Sequence, residues 1–137
     1  MSHDSERIAL YSALQTALPV DTTLRFESVR ENDTILDSDE LWVLCKITPY
    51  LSHQKNLGVS NPLKRSLGLF SVEIYDREEN GFADIYRMID TLEAAFLHET
   101  FDSGTLYIDR ITHTTHQAIK GWNRMDVVID YHADTTM

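Results

Sequence analysis

The chain has 137 residues, 42% hydrophobic and 25% charged, a composition typical of one folded globular domain. Its 22 acidic and 12 basic residues give a formal net charge of −10, which argues against a surface built to track nucleic-acid phosphates. No apolar run reaches the roughly 18 residues of a membrane span, and a single cysteine excludes an intrachain disulfide. We therefore predict one domain, residues 1–137, in a cytosol-like compartment.

The first part of the chain predicts one helix and two strands. Apolar residues recur at helical spacing after an Asp4 or Ser5 cap, and Pro19 ends this short amphipathic helix. Alternation over Thr23 to Val29 predicts a half-buried strand. The apolar run Leu41 to Ile47 predicts a strand that is covered on both faces, and its cysteine is expected to be a buried thiol.

The segment from Pro49 to Ser66 is polar and interrupted by Gly and Pro, which predicts a long loop. Such a loop is typical of a functional segment or of one that a partner orders. Lys55, Lys64 and Arg65 make this segment the best candidate for a local basic patch in an otherwise acidic chain.

The second half begins with the clearest strand of the chain, Leu67 to Tyr75, and a turn over Asp76 to Gly81 follows it. A continuous apolar stripe over residues 82–96 then predicts a helix that packs on the sheet. Two more strands, Thr105 to Ile111 and Arg124 to His132, are expected to pair as a hairpin.

The resulting order, α-β-β-β-α-β-β, predicts a single-domain α+β fold. We expect a mainly antiparallel or mixed sheet of about five strands, with two helices packed on one face.

Two groups of polar residues have the residue types of a functional site. His113 and His116 are three apart, but they lie at a predicted strand end and have no third ligand at zinc spacing, so exposed loop histidines are expected. Asp76, Glu78, Glu79 and Asp84 surround the predicted helix start, where favourable interaction with the helix dipole explains them better than a carboxylate site does.

Catalytic signatures are otherwise missing from the sequence. There is no G-x-S-x-G motif, no phosphate-binding glycine loop and no paired acids at glycosidase spacing. Trp42, Trp122, Tyr50, Tyr107 and Tyr131 have the ring chemistry for stacking on nucleic-acid bases, but the net charge favours core and subunit-interface roles.

Five segments of the chain form a pattern that covers most of its length. The first two are the helix Arg7 to Leu18 and the strand Leu41 to Thr48. Next come Arg65 to Tyr75, where a basic residue and Gly-x-Phe open an alternating strand, and the amphipathic helix Ala83 to Phe96. The last is Trp-x-Arg-x-x-Val-x-Ile-x-Tyr, present as Trp122 to Tyr131. In these segments the chain resembles the small tail terminator proteins of long-tailed bacteriophages.

This resemblance implies a non-enzymatic virion protein without cofactor or metal. Subunits would form a ring, expected to be a hexamer, at the head-proximal end of the tail, after assembly in the host cytoplasm. The ring would contact the major tail tube protein, stop tube polymerisation and offer a surface to the head-completion protein. DNA would pass through an acidic lumen without specific binding, because like charges repel, and no membrane is involved.

We place the subunit or tube interface of such a ring in Ser52 to Ser66. The candidate residues are His53, Gln54, Lys55, Asn56, Lys64 and Arg65. Two alternatives stay open. One is a head-tail joining protein of the neck, and the other is a small-molecule- or metal-binding α+β module, or an enzyme, that uses the acids near Asp76.

Overall fold

The computed structural model of the protein describes residues 3–19, 23–26, 41–55, 63–97, 99–101, 104–119 and 121–136. Its elements in chain order are α1 (His3–Ala17), β1 (Thr23–Phe26), β2 (Trp42–Lys55), β3 (Leu63–Arg77), a 3-10 turn (Glu78–Asn80), α2 (Ala83–Phe96), β4 (Thr100–Phe101), β5 (Leu106–Ile119) and β6 (Trp122–Thr136). Among the described residues, no helix is long and apolar enough to cross a membrane.

The strands form one sheet in the order β1-β2-β3-β6-β5-β4. All neighbouring strands are antiparallel except β1 and β2, which are parallel. This architecture confirms the predicted α+β class and the mainly antiparallel sheet. The described residues form six strands rather than about five, because the two-residue β4 pairs with Leu106 and Tyr107 at one edge.

The core is one buried cluster to which α1, α2 and one face of the sheet contribute side chains. On that face Cys45, Val72 and Val127 stand side by side on β2, β3 and β6, and all three are fully buried. The thiol is buried as predicted. The apolar stripe of α2 is confirmed and faces this layer, with Ile85, Met88, Ile89, Leu92 and Phe96 buried. Each such side chain contributes about 1.5 to 3 kcal/mol before the loss of conformational entropy.

The prediction that both helices pack on one face of the sheet is wrong as stated. The sheet is curled, so it does not offer one flat face to a layer of helices. Helix α1 contacts α2 as well as β2, and α2 contacts β3. Long antiparallel strands twist and coil, and this curvature gives the two helices different positions against the sheet.

The side chains at one end of the opposite face form a second, smaller cluster. Trp42 stacks on Tyr75 with ring centroids 4.1 Å apart and meets Trp122 edge-on at 6.0 Å. The guanidinium carbon of Arg77 lies 4.3 Å from the centre of the Trp122 ring. Both indoles are buried, with 3% and 2% of their surface exposed, so they are not available as stacking platforms for bases.

Two segments that were expected to be loops are largely strand. Most of 49–66 belongs to β2 and β3, which pair as far as Lys55 and Leu63, and most of 113–123 belongs to β5 and β6. The polar residues of these segments have a weak intrinsic preference for strands. Pairing with a long neighbouring strand overrides that weak preference. The predicted first strand is confirmed over Thr23–Phe26, and its remaining residues, 27–29, lie outside the described part.

Candidate functional site

The outer half of the β2–β3 hairpin carries most of the predicted interface residues, and we call residues 49–55 and 63–68 the hairpin arm. Within it His53 lies opposite Arg65, and Gln54 lies opposite Lys64. Lys55 pairs with the first residue of β3. The fold thus brings five of the six predicted positions together on two paired strands, and the sixth, Asn56, lies outside the described residues.

A β-bulge at the base of the arm places two large apolar side chains on the surface. Pro49 pairs with Gly68, and the register shifts before Leu51 pairs with Leu67. Tyr50 falls in the shift and is left out of the pairing with β3. Pro49 stands next to this bulge, where strands tolerate proline because a ladder hydrogen bond is already missing. The side chains of Tyr50 and Leu51 are consequently 58% and 49% exposed.

The arm also forms an open edge of the sheet. Strand β1 pairs only with Trp42–Cys45, so among the described strands none lies beside β2 from Lys46 to Lys55 on its outer side. This edge has a lysine at each end and a proline and a bulge between them, features that discourage pairing with a strand from another chain. Contacts by the arm are therefore expected through side chains rather than through new backbone pairing.

An ion pair midway along the arm holds it to the C-terminal strand β6. Arg65 donates hydrogen bonds from Nε and Nη2 to the two carboxylate oxygens of Asp134, each at 2.8 Å. This bond to the carboxylate raises the pKa of the guanidinium above its ordinary value. Beside it the hydroxyl oxygens of Ser52 and Ser66 lie 3.3 Å apart. Arg65 therefore positions the arm, and His53 is the exposed member of this cross-strand pair.

Other ion pairs lie along the same outer face of the sheet. Arg124 donates from Nε and Nη2 to the carboxylate of Asp126, at 2.8 and 2.9 Å, and Arg110 donates from Nε to Asp130. His132 Nδ1 lies 2.7 Å from the carboxylate of Asp109. Acids on this face thus have cationic or imidazole neighbours, so much of its negative charge is compensated.

The two candidate metal histidines do not share a site. Both lie in β5 rather than in a loop, and residues three apart in a strand point to opposite faces. His116 Nε2 lies 2.9 Å from Oδ2 of Asp126 on the outer face, and His113 is exposed. Within the described part of the chain, no three His, Cys, Asp or Glu side chains come together as a metal site would require.

The acids near α2 are also separated by the fold. Asp76 is buried, and its Oδ1 accepts hydrogen bonds from the backbone N–H of Arg77 at 2.9 Å and from Nδ2 of Asn80 at 3.0 Å. Glu78 and Glu79 are exposed in the 3-10 turn. Asp84 lies in the first turn of α2, as the helix-dipole interpretation expects, and pairs with Arg87. Asp76 thus organises the turn through local hydrogen bonds.

A groove along α1 is a surface feature that the sequence analysis missed. It encloses about 710 Å³ and is lined by small side chains of α1, by Ala95 of α2 and by Phe101 of β4. Ile8 stands at its wall with 51% of its surface exposed. The signal in the sequence is alanine at every fourth position, Ala9, Ala13 and Ala17, but the same spacing is ordinary in any well-formed helix.

Comparison with known proteins identifies a shared fold. No family model matches the sequence, and no curated protein matches it. Several solved structures match, and one of them does so with a TM-score of 0.71 and 13% sequence identity, over 97% of this chain and 96% of that chain. The TM-score shows that the two chains have the same fold. At this sequence identity the match shows the fold alone, so function has to be argued from the surface of this protein.

Proposed function

We propose that this protein is a structural subunit of a long-tailed bacteriophage that forms a ring at the head-proximal end of the tail tube. The ring, a hexamer by resemblance to tail terminators, stops tube polymerisation and provides the surface for the head-completion protein. The support from the sequence is the set of matching segments that spans most of the chain and closes on Trp122 to Tyr131.

The observation that carries the proposal is the hairpin arm. Tyr50 and Leu51 are exposed side by side at its base, next to the exposed His53. Tyrosine is enriched in protein interfaces because its ring covers a large area at little cost in side-chain entropy. An exposed apolar pair in a cationic hairpin suits binding to another protein subunit better than it suits catalysis.

The rest of the surface fits a ring through which DNA passes. The chain has a net charge of −10, although the carboxylates of its outer sheet face are paired with cationic neighbours. The net charge repels the phosphate backbone, so DNA slides past the ring without being retained.

Tube assembly is the direct test of this function. Tail tube subunits polymerise with and without the purified protein, and electron microscopy records tube length and the density at the tube ends. We expect short tubes with a ring at one end. In a variant that lacks residues 54–61, β2 and β3 are expected to stay in register, because His53 and Arg65 lie directly opposite each other. We expect this variant to fold but not to cap tubes. Normal capping by this folded variant would reject the arm as the interface.

The same experiment separates the proposal from the nearest alternative, a head-tail joining protein. A joining protein also forms a ring without catalysis, but it leaves tube length unchanged and binds only to tubes that are already terminated. A small-molecule or metal module is tested by calorimetric titration with Mg²⁺ and Ca²⁺ on the wild type and on Glu78→Ala. Ion binding that the variant abolishes would favour that module.

A further inference from the structure

Charge is segregated along this chain. The segment 41–72, which contains β2 and the hairpin arm, carries four of the 12 basic residues and none of the 22 acidic residues. Its cations are Lys46, Lys55, Lys64 and Arg65. Three of them, Lys55, Lys64 and Arg65, belong to the hairpin arm, and Arg65 is paired with Asp134. Because the whole chain has a formal charge of −10, the arm is a cationic part of an anionic chain.

The groove along α1 has the opposite character. Its lining is largely apolar, with Ile8 and Phe101 as the large side chains and four alanines beside them, and its polar members are Asp4, Ser5, Ser12 and Thr16. The elements around it, α1, α2 and the segment 99–101, carry five acids that are not buried, Asp4, Asp84, Asp90, Glu93 and Glu99, and two arginines, Arg7 and Arg87. A sixth acid, Glu6, is only 1% exposed. Asp4 pairs with Arg7 and Asp84 with Arg87, so the excess negative charge of this surface comes from the other three acids. The groove is thus a largely apolar cleft beside an acidic surface.

We infer that the hairpin arm of one subunit docks into the α1 groove of a second copy of the same chain, with Tyr50 and Leu51 seated on the groove floor. This inference rests on the proposed function, because it names the partner of the arm within the ring. It makes the subunit contact heterologous: a surface on one face of the chain meets a different surface on the next copy.

Complementarity in both shape and charge supports this occupant. The β-bulge presents Tyr50 and Leu51 as neighbours, and a groove of about 710 Å³ lies within the range, roughly 300 to 1,000 Å³, of pockets that enclose a drug-sized group. The arm carries no acidic residue, and the surface beside the groove has an excess of acids. In this chain both the groove and the apolar pair are open to solvent, so the arm does not fill its own groove.

Heterologous contacts also explain how a ring arises. A self-complementary patch closes a dimer and stops, whereas a head-to-tail contact repeats and closes into a ring when the rotation between neighbours divides a full turn. An arm and a groove on different parts of one chain provide such a contact.

Analytical ultracentrifugation of the purified full chain tests the inference. Two variants each disable one side of the contact. Tyr50→Ser with Leu51→Ser removes the apolar side chains of the arm, and Ser12→Trp fills the groove from an exposed position of α1. Tyr86→Ser is the matched control, because Tyr86 is 51% exposed and lies outside the groove. We expect each of the first two to weaken association at least about tenfold, as loss of a central tyrosine does in other interfaces, and the control to leave it unchanged. Thermal unfolding checks that all are folded.

Mixing the two defective variants gives the sharpest result. The groove variant still has its arm and the arm variant still has its groove, so a mixture forms one intact contact and sediments as a dimer. Raising the salt concentration from 0.05 to 0.5 M is expected to weaken this dimer, because the Debye length falls severalfold. A mixture that stays monomeric, or a wild type that shows no self-association, would overturn the inference.

Failure of this contact and failure of the proposed function can be distinguished. If the folded arm and groove variants assemble like the wild type and still cap tubes, the arm-in-groove contact is wrong and the terminator function stands. If the contact is confirmed and the assembled protein leaves tube length unchanged, the contact stands and the terminator function fails.

Discussion

Arg65 on β3 and Asp134 on β6 are joined by two parallel hydrogen bonds of 2.8 Å, although they are 69 positions apart in the sequence. They lie directly opposite each other in the sheet. Their side chains are 29% and 19% exposed, so water screens the pair only in part. This two-pronged geometry is the strongest arrangement available to an arginine and a carboxylate, and it fixes the hairpin arm to β6.

The pair is expected to be measurable as a coupling energy. Arg65→Ala and Asp134→Ala each lower the free energy of unfolding by about 1 kcal/mol, and the double variant loses less than the sum of the two, with a coupling of about 0.5 to 1 kcal/mol. Urea unfolding of the four proteins gives this value. Strictly additive losses would show that the two side chains do not interact.

Gly68 is expected to tolerate no side chain. A Cβ built there would lie 2.4 Å from Oη and 2.5 Å from Cζ of Tyr131, which stands opposite it on β6. Gly68→Ala should therefore cost about 1 to 3 kcal/mol in the free energy of unfolding. The control is the same substitution in a Tyr131→Leu background, where the clash is gone and the added cost of the alanine should fall below about 0.5 kcal/mol. An equal cost in both backgrounds would contradict this explanation.

The hydroxyl of Tyr131 predicts a response to alkaline pH. Burial raises the pKa of this phenol above its ordinary value, and Oη has no hydrogen-bond partner among the described residues. Above about pH 10 the unfolded chain loses the phenolic proton before the folded chain does, so the stability conferred by the neutral phenol is lost as pH rises.

Tyr131→Phe is therefore expected to be neutral or stabilising at pH 7, because the variant no longer buries an unsatisfied hydroxyl. It should also lose stability less steeply above pH 10, as followed by urea midpoints from pH 7 to 11. Tyr75→Phe is the comparison, since burial also raises that pKa but its hydroxyl donates to Oε1 of Glu73 at 2.6 Å. A large loss of stability at pH 7 in Tyr131→Phe would contradict the prediction.

The arginines of the outer sheet face should differ in importance. Arg124 is 24% exposed, binds both oxygens of Asp126 and lies over the ring of Tyr75, and the bond to Asp126 raises its pKa. Arg110 is 72% exposed and pairs with Asp130 at the surface. We expect about 1 to 2 kcal/mol of destabilisation from Arg124→Ala and less than about 0.5 kcal/mol from Arg110→Ala. Equal effects in thermal unfolding would refute this ranking.

Periodicity predicted the parts of the fold in which apolar spacing and burial agree. Alternation from Leu67 to Tyr75 and the stripe of residues 82–96 gave the central strand and α2, and both face the core. The outer halves of the long strands were predicted as loops, because polar residues such as Gln54 and Thr114 reveal nothing about the partner strand that aligns them.

Only part of the candidate site was predictable, because the sequence does not reveal which strands pair. The basic residues predicted the position of the arm. The partner of Arg65 lies near the other end of the chain, and no local sequence pattern predicts that pairing. The exposed pair at Tyr50 and Leu51 depends on a register shift after Pro49, which is a property of the paired strands rather than of the sequence around it.

The central claim is that this protein terminates tail tubes through its hairpin arm. Its most direct test is the length distribution of tubes polymerised with purified tail tube subunits and the wild-type chain, measured by electron microscopy. The account predicts tubes of limited length that carry a ring at one end, and long uncapped tubes with the variant lacking residues 54–61. Tubes of unchanged length, without an end ring, in the presence of wild-type protein would contradict it.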